Sequence, residues 1–329
     1  MKQSITNVKI TGTGSYVPEK IVTNKDLEIR ANTSDQWIFE KLGIRERRVV
    51  TDELTSDLAA QAALNALASA NLTPDDIDLI IVATSTPDRL APSTACIVQD
   101  KIKAYKAVAF DLAAVCSGFL YAYSTAAQFV SNGIYKHVLV IGADTFSKII
   151  DWDRRDCVFF GDGAGAIVLS RNEDHDGLLR FRLYADGRGK HNFTIPGGGS
   201  EHPISQASLD NRKRYFEMNG PAVYETAVSV LPNTIEEVLR DANKSIDEVS
   251  LLVPHQPSIR ILKETARRLG MPFEKVMINM DKYANTSGGT IPIVLDETNK
   301  AGKIKPGDFI LFAAVGSGWT WGAALVKWN

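Results

Sequence analysis

The residues of this sequence best able to make and break covalent bonds are its three cysteines, and one of them stands apart. Cys116 lies in the segment AAVCSGF at 113–119, directly ahead of an apolar stretch of small residues. The thiolate is the reactive form of cysteine, and a helix starting here would lower the thiol pKa through its dipole and free N–H groups. Such a thiol forms a thioester that is readily made and cleaved, which suits acyl relay. The same residue reads equally well as a buried structural thiol. Cys96 in TACIV and Cys157 in CVFF sit in apolar segments and read as core.

Two further residues could assist a nucleophile. His255 follows an apolar run in VPHQP at 253–257, and Asn285 lies in YANTSGG at 283–289. Read alone, His255 could equally be a satisfied structural histidine, and Asn285 a turn or helix-cap residue. His137, His175, His191 and His202 read as loop or strand-edge residues. Gly316-Ser317-Gly318 could bring backbone N–H groups close to a ligand, or could simply be a tight hairpin. The GDGAG run at 161–165 looks like a dinucleotide fingerprint, but it leads into AIVLS, a strand, so that reading fails. Gly12-Thr13-Gly14 has the same weakness. The cysteines lack metal-ligand spacing, so no metal site is expected.

The elements that must position these residues alternate as in an α/β fold. Helices are expected at 55–70, 92–102 and 117–131, and strands at 77–83, 108–111 and 137–143. Segments 156–160 and 164–170 read as a strand pair joined by a turn at 161–163. The order recurs later. Helices are expected at 221–243, 258–269 and 289–300, the last with Pro292 inside it, and strands at 249–253, 276–279, 309–314 and 322–328. Gly270 followed by Pro272 marks a helix stop. The halves therefore look duplicated, with Cys116 and Asn285 at equivalent strand-to-helix corners and His255 just past a strand end. Ligands of α/β sheets bind outside the carboxyl ends of strands. Residues 171–220, rich in glycine and polar side chains, read as an insertion able to cover a site.

With 329 residues the chain has room for about two domains. A net charge of -2 suggests no nucleic-acid or acidic-membrane partner. Residues 1–16 lack the apolar region of a signal peptide, and no window of 18 uninterrupted apolar residues suggests a membrane span. The odd cysteine count fits a reducing cytoplasm.

Taken in order, these segments resemble the thiolase superfamily and, within it, β-ketoacyl-acyl-carrier-protein synthase III, which starts fatty-acid chains. The resemblance spans essentially the whole chain. It rests on TSDQWI at 33–38 with GIRER at 43–47, the Cys116 segment, FGDGAG at 160–165, MNG at 218–220, His255-Gln256, NTS at 285–287 and GWTWG at 318–322. It implies a five-layered αβαβα fold made of two similar halves, 1–171 and 172–329, and a homodimer.

The resemblance also implies roles. Cys116 takes an acyl group from acyl-CoA. His255 and Asn285 donate hydrogen bonds to the thioester oxygen of malonyl-acyl carrier protein as it loses CO2. Backbone N–H groups of Cys116 and of the Gly316-Ser317 turn, Ser317 by motif position, form the oxyanion hole. Trp37 stacks on the CoA adenine with Arg154 opposite, while Lys41 and Arg260 meet CoA phosphates. Gln256, Arg260, Arg267 and Arg268 face the carrier protein. Phe160 and Ala91 belong to the acyl pocket, and no cofactor or metal is implied beyond acyl-CoA and malonyl-acyl carrier protein as substrates. Ala91 stands where relatives often carry Phe reaching across the dimer, which implies a primer longer than acetyl. Glu225, close to Pro221, replaces a residue that is often basic.

A specialised relative making a quinolone, polyketide or resorcinol product would share the triad. A thiolase would carry a second cysteine near Gly316-Ser317-Gly318, and a hydroxymethylglutaryl-CoA synthase a glutamate base; neither is found. A non-catalytic partner subunit would have lost the nucleophile.

Overall fold

The apolar runs at 77–83 and 137–143 form the neighbouring parallel strands Leu79–Ala83 and His137–Thr145, buried on both faces. Strands covered on both sides need no polar alternation, so their sequences read as continuous. The computed structural model describes residues 7–172 and 177–329, which leaves His175 outside the described residues. The five-stranded sheet around them has the order Val8–Tyr16, Asp162–Arg171, His137–Thr145, Leu79–Ala83, Val108–Leu112. A four-stranded sheet follows the same plan with Leu178–Ala185, Thr320–Lys327, Phe309–Gly316 and Leu251–Pro254. In each sheet a parallel pair continues into two antiparallel pairings.

Five layers result, αβαβα. Gly118–Ser131 and Thr290–Lys300 contact both sheets and form the middle layer. Thr55–Ala70 covers the outer face of the first sheet beside Thr94–Ile102. Gly220–Asp241 covers that of the second, with Ile259–Leu269 packed on it. Phe119, Leu120 and Phe312 are fully buried between the sheets, each contributing roughly 1.5–3 kcal/mol through its burial. The glycines of Gly12-Thr13-Gly14 serve this packing. A Cβ on Gly12 would sit 2.3 Å from Ala66 O, and one on Gly14 2.2 Å from Ala66 N, so only glycine lets the Ala-rich helix lie against the strand.

Three expectations need correction. Residues Arg155–Phe159 form a 3-10 turn, not a strand, and Asp162 and Gly163 already belong to the strand Asp162–Arg171. The buried Asp162 carboxylate explains the change: it accepts N–H bonds from Val50 and Ser147, both 2.8 Å, and so ties the strand start to two other loops. Of 276–279, only Val276 bridges to a strand, at Leu252. Residues 171–220 are not merely an insertion, because Leu178–Ala185 is the edge strand of the second sheet. Its arginines disguise it: Arg180 and Arg182 reach across to Asp241. Pro292 breaks nothing, because it falls in the first turn of Thr290–Lys300, where no helical N–H bond is needed.

Candidate active site

Cys116 sits on a 3-10 turn, Val115–Ser117, that leads into the middle-layer helix Gly118–Ser131. Val115 holds φ at 46°, a costly value for a β-branched residue. The turn is pinned by Ser117, whose hydroxyl lies 2.8 Å from Ala114 O and 2.7 Å from the Thr320 hydroxyl. The second half repeats this corner. Ser287–Gly289 forms a 3-10 turn, Ser287 has φ 51°, and Thr290–Lys300 follows. The two corners meet: Cys116 Sγ lies 3.8 Å from Ser287 Oγ.

Asn285 is held at the entry to the second corner by backbone bonds from its N–H to Phe159 O and from Gly161 N–H to its own carbonyl, both 3.1 Å. Its side-chain Oδ1 accepts the Ser287 N–H at 2.7 Å. With the oxygen occupied in this way, the Nδ2 group is the part of the amide left to donate. His255 follows the strand Leu251–Pro254, and its N–H bonds Ala313 O at 2.8 Å. Its Nδ1 lies 2.8 Å from the Thr290 hydroxyl, so Nε2 is the nitrogen left to serve the site. Cys116, His255 and Asn285 line one cavity of about 510 Å³.

The electrostatics differ from the expectation for a helix N-terminus. Burial pushes the Cys116 thiol up to about 12, and the nearby Asp144 charge adds to this, against hydrogen bonds from Ser287 and Asn285. The cysteine is only 7% exposed, so desolvation outweighs the helix dipole and favours the neutral thiol. Burial likewise pushes His255 down to about 3, so its imidazole is neutral.

Gly316 faces the Cys116 backbone. A Cβ there would lie 2.9 Å from Ser117 N, 3.0 Å from Cys116 N and 3.1 Å from Ala114 O. Ser317 turns its hydroxyl to Phe193 O at 2.5 Å, so what it offers the cavity is backbone. Gly316→Ala is expected to displace the Cys116 turn. Thermal unfolding should show a loss of roughly 1–3 kcal/mol. On the expectation that Cys116 takes an acyl group, the rate of that step should fall roughly a hundredfold, the usual cost of a displaced reacting group.

Residues 110–187 match the family model 3-oxoacyl-[acyl-carrier-protein (ACP)] synthase III, and residues 239–328 match its C-terminal model. A β-ketoacyl-[acyl-carrier-protein] synthase III of Desulfitobacterium hafniense is 47% identical over 325 residues, 98% of each chain. The corresponding protein of Clostridium acetobutylicum is also 47% identical over 325 residues, covering 98% of this chain and 99% of its own. The chain belongs to the β-ketoacyl-[acyl-carrier-protein] synthase III family. Its fold agrees: the crystal structure of the Aquifex aeolicus 3-oxoacyl-[acyl-carrier-protein] synthase III superposes with a TM-score of 0.91 at 45% identity, covering 98% of this chain and all of that one.

Within this synthase III chain the remaining expected residues divide. Trp37, Lys41, Arg260 and Phe160 line the same cavity as Cys116. Trp37 follows the Ser34 cap, and the Arg155 guanidinium lies 3.9 Å over its ring. Arg154 instead pairs with Asp156 and donates to Phe216 O at 3.2 Å. Gln256 does not face a partner. It is 1% exposed, and its amide bonds Pro254 O, Met277 O and Asn279 N–H. Arg267 and Arg268 are exposed, but both pair with Glu264, which weakens their basic face. Ala91 is exposed in the loop before Thr94–Ile102 and lies outside this chain's cavity. Phe160 stacks on Phe146 with ring centres 4.5 Å apart and meets Phe193 and Phe216 edge-on, which gives the cavity an aromatic wall. Glu225 lies at the cavity lining beside Tyr224.

Sequence reasoning missed Ser287, Thr290 and Asp144. The first two lie within NTSGGT, where the NTS motif is visible but only the asparagine is given a role. Asp144 is fully buried at the end of His137–Thr145. It accepts N–H bonds from Ser85 at 2.7 Å, Thr86 at 3.1 Å and Gly288 at 3.0 Å, and so ties the first sheet to the Ser287 corner. A charge directly after an uninterrupted apolar strand was the available signal.

Proposed function

We propose that this synthase III condenses an acyl-CoA primer with malonyl-acyl carrier protein and so starts fatty-acid chains. The observation that carries the reading is the convergence of Cys116, His255 and Asn285 on one cavity, with Asn285 Oδ1 engaged by the Ser287 N–H so that its NH2 group is the donor. Cys116 sulfur attacks the primer thioester. The oxyanion faces the N–H groups of Cys116 and the Gly316-Ser317 turn, and CoA leaves carrying, on balance, the proton the thiol gives up. Malonyl-carrier protein then binds, and His255 and Asn285 donate hydrogen bonds to its thioester oxygen. Preorganised donors of this kind are worth roughly 3–4 kcal/mol each. CO2 departs, the enolate carbon attacks acyl-Cys116, the C–S bond breaks, and the thiolate regains a proton from water.

CoA binding is supported by Trp37, Lys41 and Arg260, an aromatic face and two cations on the lining of the Cys116 cavity. Arg260 also offers a charge to an acidic carrier protein. A homodimer is supported by apolar surface near the edge of the first sheet, where Leu90 is 87% and Val108 49% exposed. Ala91, next to Leu90, supports a primer longer than acetyl. Among the described residues no helix is long and apolar enough to cross a membrane, and we place the chain in the cytoplasm. The test is product formation from malonyl-carrier protein with acetyl-CoA and octanoyl-CoA in parallel. A β-ketoacyl-carrier product with a higher kcat/KM for octanoyl-CoA is expected. A strong acetyl preference would overturn the primer reading, and absence of product with any acyl-CoA would overturn the function.

A further inference from the structure

The hydroxyl of Thr290 has no place in the steps above, yet it is the polar partner of His255. Oγ1 lies 2.8 Å from His255 Nδ1 and 2.9 Å from Ser287 O, and it carries one hydrogen. That hydrogen can go to the carbonyl or to the imidazole, and the choice decides what His255 is. If it goes to Ser287 O, Nδ1 must carry the imidazole proton, and Nε2 presents a lone pair. A lone pair repels a thioester oxygen and stabilises no enolate. If the hydroxyl donates to Nδ1, Nε2 carries the proton and becomes a donor.

The backbone favours the second arrangement. Ser287 O already accepts the backbone N–H of Thr290, so the carbonyl keeps a partner when the hydroxyl turns away. A pyridine-type nitrogen is also a stronger acceptor than an amide carbonyl already engaged. Thr290 opens the helix Thr290–Lys300 and is 2% exposed, so its Oγ1 is held in place by packing. Neither arrangement strands a buried polar atom, so the hydroxyl selects the tautomer at little cost. The buried imidazole stays neutral, which makes its tautomer the property that matters.

We infer that Thr290 is a positioning residue that fixes His255 as the Nε2–H tautomer, making it a hydrogen-bond donor to the malonyl thioester and not a base toward Cys116. This rests on the decarboxylating reading above, and it predicts that the two half-reactions respond differently to one hydroxyl.

The experiment compares wild type, Thr290→Val and Thr290→Ser. Cys116 acylation by acyl-CoA is followed by intact mass, and CO2 release from malonyl-carrier protein is followed separately. Thr290→Val keeps the shape and removes the hydroxyl. It is expected to acylate within about twofold of wild type while decarboxylation falls roughly tenfold to a hundredfold, and Thr290→Ser is expected to restore it. In protein labelled with 15N-histidine, with His255 assigned from its absence in His255→Gln, wild type should show a pyridine-type Nδ1 and a pyrrole-type Nε2. Equal losses in both half-reactions, wild-type decarboxylation in Thr290→Val, or an Nδ1–H tautomer in wild type would each overturn the inference. The wild-type spectrum decides even if the valine variant does not fold. A wild type that accepts no acyl group would instead refute the functional reading, a distinct outcome.

Discussion

Cys116→Ala is expected to take up no acyl group from acyl-CoA and to condense at least about a thousandfold more slowly than wild type. The thiol is the group in this cavity able to hold an acyl chain as a thioester: Cys96 and Cys157 are absent from the cavity lining. The change removes one buried sulfur from a turn pinned by Ser117, so the fold should persist. His255 and Asn285 remain in place, and the variant should therefore still release CO2 from malonyl-carrier protein without joining the carbons. Separate assays of CO2 and β-ketoacyl product check both halves. Product at a wild-type rate would contradict the account.

Asn285→Ala and His255→Ala should show the opposite split. On the proposed mechanism each removes a donor to the malonyl oxygen, a loss that should cost roughly a hundredfold to a thousandfold in decarboxylation. Cys116 should still accept its acyl group in both variants, as intact mass would show. His255 also carries a pH signature. Folding lowers its pKa from 6.5 to about 3 by burial. As the pH falls below 6.5 the unfolded chain protonates first, so stability present above 6.5 is lost progressively toward 3. At pH 4 the loss is on the order of 3 kcal/mol. Chemical denaturation between pH 7 and 4 should show this fall in wild type and a smaller one in His255→Gln. Equal slopes would mean that the imidazole is not buried neutral.

The position of Cys116 at a helix start and of His255 just past a strand end is legible in the hydrophobic pattern, whereas the roles proposed for them and for Asn285 rest on the family resemblance. What pattern does not fix is depth and direction. Cys116 was placed correctly at a helix start, but its burial, and so its neutral thiol, depends on how the Ser287 corner closes over it. Arg155 lies over Trp37 while its neighbour Arg154 pairs with Asp156, a division that sequence pattern alone does not show. Gln256 is adjacent to His255 in sequence yet points inward to Pro254 O and Met277 O. Leu178–Ala185 was hidden because an edge strand tolerates Arg180 and Arg182 on its open face.

The central claim is that Cys116 carries the acyl group between two substrates. Intact-mass and peptide mapping of wild type after mixing with acyl-CoA test it most directly. The account predicts one acyl group on Cys116, discharged when malonyl-carrier protein is added, with a β-ketoacyl chain appearing on the carrier. An adduct on another residue, one that survives in Cys116→Ala, or one that malonyl-carrier protein cannot discharge would contradict it.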